Sequence, residues 1–159
     1  MSTQFFQSLT AAEGYDGQLV AEATEAGQAA RYAQPQAPLP EALAAALERK
    51  GIHRLYSHQA EALDLARQGK HVTVVTPTAS GKTLCSALPV LEALLKDPQA
   101  KALYLYPIKA LAQDQKGILD DWIRAVFPAE LGKREKGEGN GPRVEIYDGD
   151  TSPYQRSKI

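Results

Sequence analysis

The sequence predicts an α/β fold in which helices flank a parallel sheet. Short runs of β-branched and aromatic residues occur at 71–75, 101–106 and 143–147, and turn residues bound each of them. Longer stretches with helical spacing separate these runs. Strands joined through helices pair in parallel with right-handed crossovers. Because three strands make a thin sheet, we expect the domain to be incomplete within these residues.

Two helices are predicted before the first strand. The first, "PEALAAALERKG", has Pro40 near its start and Gly51 just past its end, which is the favoured arrangement. The second, within "YSHQAEALDLARQG", has Ser57 as its expected N-cap and Gly69 as its stop.

Two further helices are predicted, one from about residue 81 and one after Pro107. Apolar residues that recur at helical spacing are expected to face the core. Over all four helices these are Leu43, Leu47, Leu63, Ala66, Leu84, Leu88, Leu91, Leu95, Leu111, Ile118, Trp122 and Val126.

The chain divides at a proline-rich stretch. Residues 1–38 are polar and rich in alanine and glutamine, and they run into the proline-rich stretch "YAQPQAPLP", residues 32–40. We expect them to form a helical or irregular N-terminal arm with an extended connector. Residues 39–159 are expected to form the partial α/β domain.

Composition narrows the class of protein. Of the 159 residues 43% are hydrophobic and 23% charged, which suits a buried core, and the formal net charge is −1. A nucleic-acid site would therefore depend on a local basic edge. The single cysteine, Cys85, allows no intrachain disulfide. With no secretory signal and no long apolar run, we expect a cytoplasmic protein.

The stretch "VTVVTPTASGKTL" predicts a nucleotide site. It fits the phosphate-loop template G-x-x-x-x-G-K-[ST] except that Thr76 replaces the first glycine. A strand that leads through small residues to a helix N-terminus gathers free N–H groups for an anion. Lys82 would contact the β- and γ-phosphates, and Thr83 would ligate Mg²⁺. The predicted ATP-binding residues of the loop are Thr78, Ala79, Ser80, Gly81, Lys82, Thr83 and Leu84. The alternative is an ordinary strand–helix turn.

The segment "TPTASGKT" resembles the first motif of superfamily 2 helicases, which include DEAD-box, RecQ-like and Ski2-like enzymes. In that group the loop often lacks its first glycine. The resemblance implies a RecA-like domain, with Lys82 and Thr83 as the catalytic residues of the phosphate site.

"GIHRLYSHQAEAL" resembles the Q motif of the same enzymes. Gln59 lies 23 residues before Lys82, and its carboxamide could pair with adenine N6 and N7. Tyr56 could stack on or flank the base. The alternatives are an exposed glutamine and a core tyrosine.

Two later segments resemble nucleic-acid contacts of the family. "LYLYPIKALAQDQ" is similar to motif Ia, which makes Lys109 and Gln113 candidates for a phosphate backbone. "IYDGDTSPYQR" is similar to the glycine-containing segment that follows, with Asp150 and Thr151 as candidate caps of the next helix and Thr151 and Arg156 as candidate nucleic-acid contacts, Arg156 at a phosphate. The alternatives are a solvated helix start and plain turn chemistry.

The amino-acid sequences of these four segments are together most similar to one branch, the RecQ-related helicases with a cysteine-rich, metal-binding C-terminal domain. This implies an ATP-dependent DNA helicase of 3′ to 5′ polarity that acts on a single strand or fork. The family's DExH segment, its S-A-T segment and its second motor domain are expected beyond this chain, and Asp120–Asp121 is interpreted as a solvated helix face. The alternatives are an RNA helicase, a non-catalytic nucleotide-binding module and a truncated product with no role of its own.

Overall fold

The computed structural model describes residues 2–17, 19, 29–128 and 141–157. The chain separates into two compact units, Met1–Ala30 and Arg31–Ile159. The first unit contains helix α1, Ser2–Thr10. The glycines and mixed charges of "GKREKGEGNGPR", residues 132–143, predict a mobile loop, and most of that stretch lies outside the described residues.

The second unit is built mainly from helices. Its elements in chain order are β1 (Tyr32–Ala33), α2 (Glu41–Arg49), β2 (Leu55–Tyr56), α3 (Ser57–Arg67), α4 (Lys82–Lys96), α5 (Lys109–Val126) and α6 (Pro153–Arg156). Strand β1 pairs antiparallel with β2, with Tyr32 opposite Tyr56. This short pairing ties the connector to the start of α3.

Helices α2 and α3 end as the sequence predicts. Gly51 and Gly69 both have left-handed backbone, with φ of 73° and 71°. The N–H after each glycine bonds back to a carbonyl of the last turn, from Ile52 to Leu47 and from Lys70 to Leu65. These are Schellman caps, which satisfy carbonyls that the helix leaves free. The predicted N-cap of α3 is wrong by one residue, because Ser57 is already helical and Tyr56 is the cap.

Helices α2 to α5 share one apolar core. Leu43, Leu63 and Leu88 are fully buried, and Trp122 and Val126 from α5 complete the same cluster. The predicted helical stripes are therefore largely correct. Of the predicted core residues, Ala66, Leu95 and Ile118 are only half-buried. Leu111, in the first turn of α5, is exposed, since the core contacts of that helix begin further along.

The three predicted parallel strands do not pair in this structure. Among the described residues the only sheet is the β1–β2 pair, and residues 71–75, 101–106 and 143–147 carry no ladder. Their side chains still alternate as in a strand. Leu103 and Leu105 are 83% exposed, whereas Tyr104 and Val144 pack against the core. Parallel strands are stable when both faces are covered, and here helices cover only one face.

Candidate functional site

The phosphate loop lies between residues 71–75 and the start of α4. Gly81, the N-cap of α4, has left-handed backbone with φ 76° and ψ 27°. Ala79 also has positive φ, at 58°, which is uncommon for a residue with a side chain. The hydroxyls of Thr76 and Ser80 share a hydrogen bond of 2.6 Å. Thr76, which replaces the usual first glycine, therefore closes the loop through its side chain.

Lys82 folds back across this loop. Its Nζ donates to the carbonyl oxygens of Thr76 at 2.8 Å and Pro77 at 2.7 Å. The ammonium group thus lies at the centre of the loop while its side chain stays exposed. An anion in the loop could replace these two neutral carbonyls as the hydrogen-bond acceptor of the Lys82 ammonium, because charged acceptors bind it more strongly.

Gln59 connects α3 to the loop. Its side chain is almost fully buried, at 2% exposure. Nε2 donates to the Gly81 carbonyl at 3.0 Å, and Oε1 accepts from the Tyr56 N–H at 2.9 Å. Both ends of the amide are therefore occupied by backbone, whereas the sequence predicts a contact with adenine. That contact stays a prediction and would require at least one of these bonds to exchange.

The same contact explains why residue 81 is glycine. A Cβ at Gly81 would lie 2.6 Å from Nε2 of Gln59, well inside contact distance. The left-handed backbone disfavours a side chain independently. Gly81 is thus required both by its conformation and by the approach of Gln59.

A ladder of rings stands beside the loop. The Tyr32 and Tyr56 rings stack at 5.3 Å, and Tyr56 and His58 stack at 5.7 Å. The guanidinium of Arg54 covers the outer face of Tyr32 at 4.2 Å. His58 Nε2 lies 3.0 Å from the Ser80 carbonyl, so the ladder reaches the loop directly.

Sequence reasoning selected only Tyr56 from this ladder. Tyr32 belongs to the connector, and its partner is 24 positions away, so periodicity gives no sign of the contact. The sequence does carry a signal for His58. It precedes Gln59 and lies 22 positions before Ser80, the same separation as between Gln59 and Gly81.

The other predicted loop residues differ in their exposure to solvent. Thr78 is exposed on the loop, and Thr83 is half-buried in the first turn of α4. The Leu84 side chain packs in the core, so only its backbone could face a nucleotide. Cys85 is also buried, and burial raises the pKa of its thiol despite a hydrogen bond and nearby Lys82.

The predicted nucleic-acid residues meet at a second location. Lys109 Nζ, at the start of α5, donates to Asp150 Oδ2 at 2.5 Å, which joins α5 to the turn at 148–151. This hydrogen bond raises the pKa of Lys109. A cavity of about 530 Å³ lies beside them, and Gln113 and Thr151 both line it. The structure therefore brings the two motif segments together.

Thr151 and Arg156 are occupied by the turn itself. The predicted cap is wrong, because Ser152 and not Asp150 or Thr151 is the N-cap of α6. Thr151 Oγ1 accepts from the Asp148 N–H at 2.9 Å and donates to the Ile146 carbonyl at 3.2 Å. Arg156 donates to the carbonyls of Thr151 at 2.8 Å and Asp148 at 3.1 Å. Backbone hydrogen bonds to the Asp148 carboxylate, chiefly from Asp150, lower its pKa. In this conformation both side chains brace the turn, so a phosphate would have to compete for Arg156.

The described residues contain neither a metal-ligand cluster nor a membrane-spanning helix. Within the described ranges no cluster of three or more histidine, cysteine, aspartate or glutamate side chains could hold a metal. No helix in the described part of the chain has the length and apolar character to cross a membrane. Asp121 is exposed, as the predicted solvated helix face requires, whereas Asp120 is half-buried; they form ion pairs with Lys50 and Lys116 respectively.

Gln59, the phosphate loop and the group formed by Lys109, Gln113, Asp150 and Thr151, here called the Lys109 cluster, follow one another in the order of the predicted motifs. Residues 56–159 match the sequence profile of DEAD/DEAH box helicases. This chain belongs to the DEAD/DEAH box helicase family. The predicted RecA-like fold is supported by a crystal structure of the helicase MrfA bound to DNA and AMPPNP. That structure aligns with a TM-score of 0.70 and 41% identity over 82% of this chain.

Curated relatives of this helicase chain include two long proteins. An uncharacterised ATP-dependent helicase, YprA of Bacillus subtilis, is 45% identical over 77% of the chain and 15% of its own length. The ATP-dependent helicase hrq1 of Schizosaccharomyces pombe is 36% identical over 98% of the chain and 14% of its own length. The chain spans about a sixth of MrfA and about a seventh of these relatives.

Proposed function

We propose that this chain is the ATP-binding segment of a DNA helicase motor. The observation that carries the proposal is the phosphate loop, in which Lys82 lies at the loop centre and Gln59 fixes Gly81. The relatives support it by name, as ATP-dependent helicases. DNA is favoured over RNA because Hel308 of Thermococcus kodakarensis, 40% identical over 54% of the chain, is named as a DNA helicase and MrfA was solved on DNA.

The loop residues fit a nucleotide phosphate chain and Mg²⁺. Backbone N–H groups from Thr78 to Leu84 would surround the phosphates, since the left-handed residues Ala79 and Gly81 make the loop concave. Lys82 would exchange its two carbonyl partners for phosphate oxygens. Thr83 would offer its hydroxyl to Mg²⁺, which bridges and neutralises phosphates in such sites. Tyr56, the middle ring of the ladder, and Gln59 would lie on the base side.

The nucleic-acid contact is proposed at the Lys109 cluster. Lys109 supplies the cation, Gln113 an exposed amide on the next turn, and the cavity beside them space for a backbone. Thr151 and Arg156 would hold the turn in shape and contact phosphate only after partner exchange. A single strand or a fork is the proposed substrate.

The parallel sheet is part of the proposal. Residues 71–75, 101–106 and 143–147 keep a strand-like alternation and need cover on their outer face to pair. Since this chain spans about a seventh of its relatives, we propose that residues outside it supply that cover, together with the acidic motif and second motor domain needed for hydrolysis.

Substitution of Lys82 tests the nucleotide site. In the intact protein that carries this sequence, Lys82→Ala should lower DNA-stimulated ATPase activity at least about 100-fold, as loss of a transition-state charge partner does. Steady-state ATP hydrolysis with single-stranded DNA measures this. Lys101→Ala removes another exposed lysine and should leave the rate unchanged. Retained hydrolysis in Lys82→Ala would show that the site lies elsewhere.

Strand-separation assays test the substrate. Matched DNA and RNA forks, each with the same overhang, should be compared in the same buffer. Unwinding of the DNA fork supports the proposal, whereas unwinding of the RNA fork alone would replace DNA with RNA as the substrate.

A further inference from the structure

The guanidinium of Arg67, near the end of α3, binds the connector and α4 at once. Its Nη1 donates to the Ala37 carbonyl at 2.7 Å, and its Nη2 donates to the Pro38 carbonyl at 3.2 Å. Its Nε donates to Glu92 Oε2 at 3.0 Å. Nη1 also donates to Asp64 Oδ1 at 3.4 Å, and Nη2 forms an ion pair with Glu92 at 2.9 Å, so every nitrogen of the guanidinium has an acceptor nearby. The side chain is only 17% exposed.

Asp64 and Glu92 complete this cluster. Both oxygens of Asp64 accept from the Gln36 N–H, at 2.9 and 3.1 Å. Glu92 is nearly buried in α4, and its other oxygen accepts from Lys96 at 2.6 Å. Buried carboxylates need such partners to offset their loss of hydration. Three consecutive connector residues, 36–38, are therefore held by their backbone groups.

The other end of the connector is also fixed. The Arg31 carbonyl accepts from the Ser57 N–H at 2.9 Å, and Tyr32–Ala33 pairs with β2. We call residues 31–38 the strap. Pro35 and Pro38 limit its conformations, so clamping one end constrains the other. The strap lies before residues 56–159, which match the family profile.

The strap is linked to the nucleotide loop through Tyr56 and Gln59. Tyr32 stacks on Tyr56, the backbone of Tyr56 is bonded to Gln59, and Gln59 is bonded to Gly81. The ion cluster on α3 and α4 is thus connected to the base side of the loop through the strap. Release of residues 36–38 would leave Tyr32 held against Tyr56 only by the two-residue β1–β2 pairing and the Arg31–Ser57 hydrogen bond.

We propose that Arg67, with Asp64 and Glu92, is a positioning residue for nucleotide binding. The cluster holds the strap so that Tyr32 backs Tyr56 and sets the base side of the site. This proposal rests on the proposed function, since it assumes that the loop binds ATP.

The test compares two ligands on the intact protein by isothermal titration calorimetry. ATP carries a base, whereas inorganic tripolyphosphate carries only the phosphate chain. Arg67→Met should weaken ATP binding about tenfold, within the range that base–aromatic stacking contributes, and leave tripolyphosphate binding unchanged. Arg67→Lys should not restore ATP binding, because lysine cannot reach acceptors on three sides.

A double-mutant cycle tests whether the effect passes through Tyr32. In a Tyr32→Ala background, Arg67→Met should cause no further loss of ATP affinity. Asp64→Ala, which frees the Gln36 N–H, should act in the same direction and serves in place of Arg67→Met if that variant does not fold. Arg49→Met is the matched control, since it removes an arginine–carbonyl contact to Ala125 between α2 and α5.

The outcomes separate this proposal from the proposed function. Equal losses for ATP and tripolyphosphate, or additive losses of Arg67→Met and Tyr32→Ala, would overturn the positioning role. Lys82→Ala should weaken both ligands. If Lys82→Ala binds both normally, the phosphate site itself is wrong.

Discussion

At the scale of single residues, the phosphate loop shows how a departure from the usual template can be structural. Thr76 stands where the common pattern has glycine, and its hydroxyl bonds to that of Ser80. A glycine could not make this contact because it has no side chain. The positive φ angles of this loop occur instead at Ala79 and Gly81.

Gly81→Ala should destabilise the protein by about 2 kcal/mol or more. The left-handed conformation costs an alanine about 1 kcal/mol or more. The new methyl group would also displace the buried amide of Gln59, whose Nε2 is 2.6 Å from the Cβ position. Urea unfolding followed by circular dichroism measures the change.

Two further variants make this prediction specific. Gly117→Ala adds the same methyl group within α5, where nothing lies within 4 Å of the new Cβ, and should stabilise by about 0.5–1 kcal/mol. In a Gln59→Ala background the clash is relieved, so Gly81→Ala should cost less. An equal cost in both backgrounds would show that Gln59 does not restrict residue 81.

Residue predictions succeeded where the signal is local. Gly81 and Lys82 follow from a continuous motif, and the structure places both at the loop. The ligand contacts predicted for them stay predictions. Arg67 and Tyr32 carried no signal, because their partners lie 30 and 24 positions away in the chain. Contacts at such distances depend on how the elements pack, which neither spacing nor composition specifies.

At the scale of elements, helices depend mainly on neighbouring residues, whereas parallel strands depend on residues far away in the sequence. The glycine caps of α2 and α3 and the leucine stripes of α2 and α4 are determined by neighbouring residues, and the structure confirms them. A parallel strand depends on partners elsewhere in the sequence and on cover over both faces. The predicted strands therefore keep only their alternation, with Tyr104 packed inward between exposed Leu103 and Leu105.

The pairing of α3 with α4 through Glu92 predicts a pH dependence. Burial alone would raise the pKa of Glu92, but hydrogen bonds from Lys96 and Arg67 outweigh it and lower the pKa. The ion cluster therefore stabilises the fold above the unfolded pKa, about 4.3. That contribution is lost as the pH falls through the lowered folded pKa.

Glu92→Gln should accordingly lower the melting temperature at pH 7 and flatten its fall in acid. The difference between wild type and variant should be largest near neutrality and shrink below about pH 4. Thermal unfolding from pH 3 to pH 7 measures both curves. Glu61→Gln, at an exposed carboxylate of α3, is the control and should follow the wild type. A Glu92→Gln curve parallel to the wild type would contradict the proposed linkage.

At the scale of the whole molecule, charge gives little attraction to nucleic acid. The formal net charge is −1, so the protein has no strong field to draw in a polyanion. The proposed nucleic-acid contact would therefore depend on local cations, and its candidate Lys109 is paired with Asp150. The carboxylate offsets the positive charge of this lysine, so a phosphate group gains less from a contact with it.

Asp150→Asn should therefore strengthen binding of single-stranded DNA by more than its change in net charge explains. We expect a gain of about threefold to tenfold at low salt, which diminishes as salt screens the contact. Asp114→Asn makes the same change in net charge at an exposed position of α5 and should gain less. Fluorescence anisotropy with a labelled oligothymidylate across a salt series measures both variants. Equal gains in affinity would mean that Asp150 acts only through net charge. A larger gain for Asp150→Asn, lost again in a Lys109→Ala background, would locate the phosphate contact at this lysine.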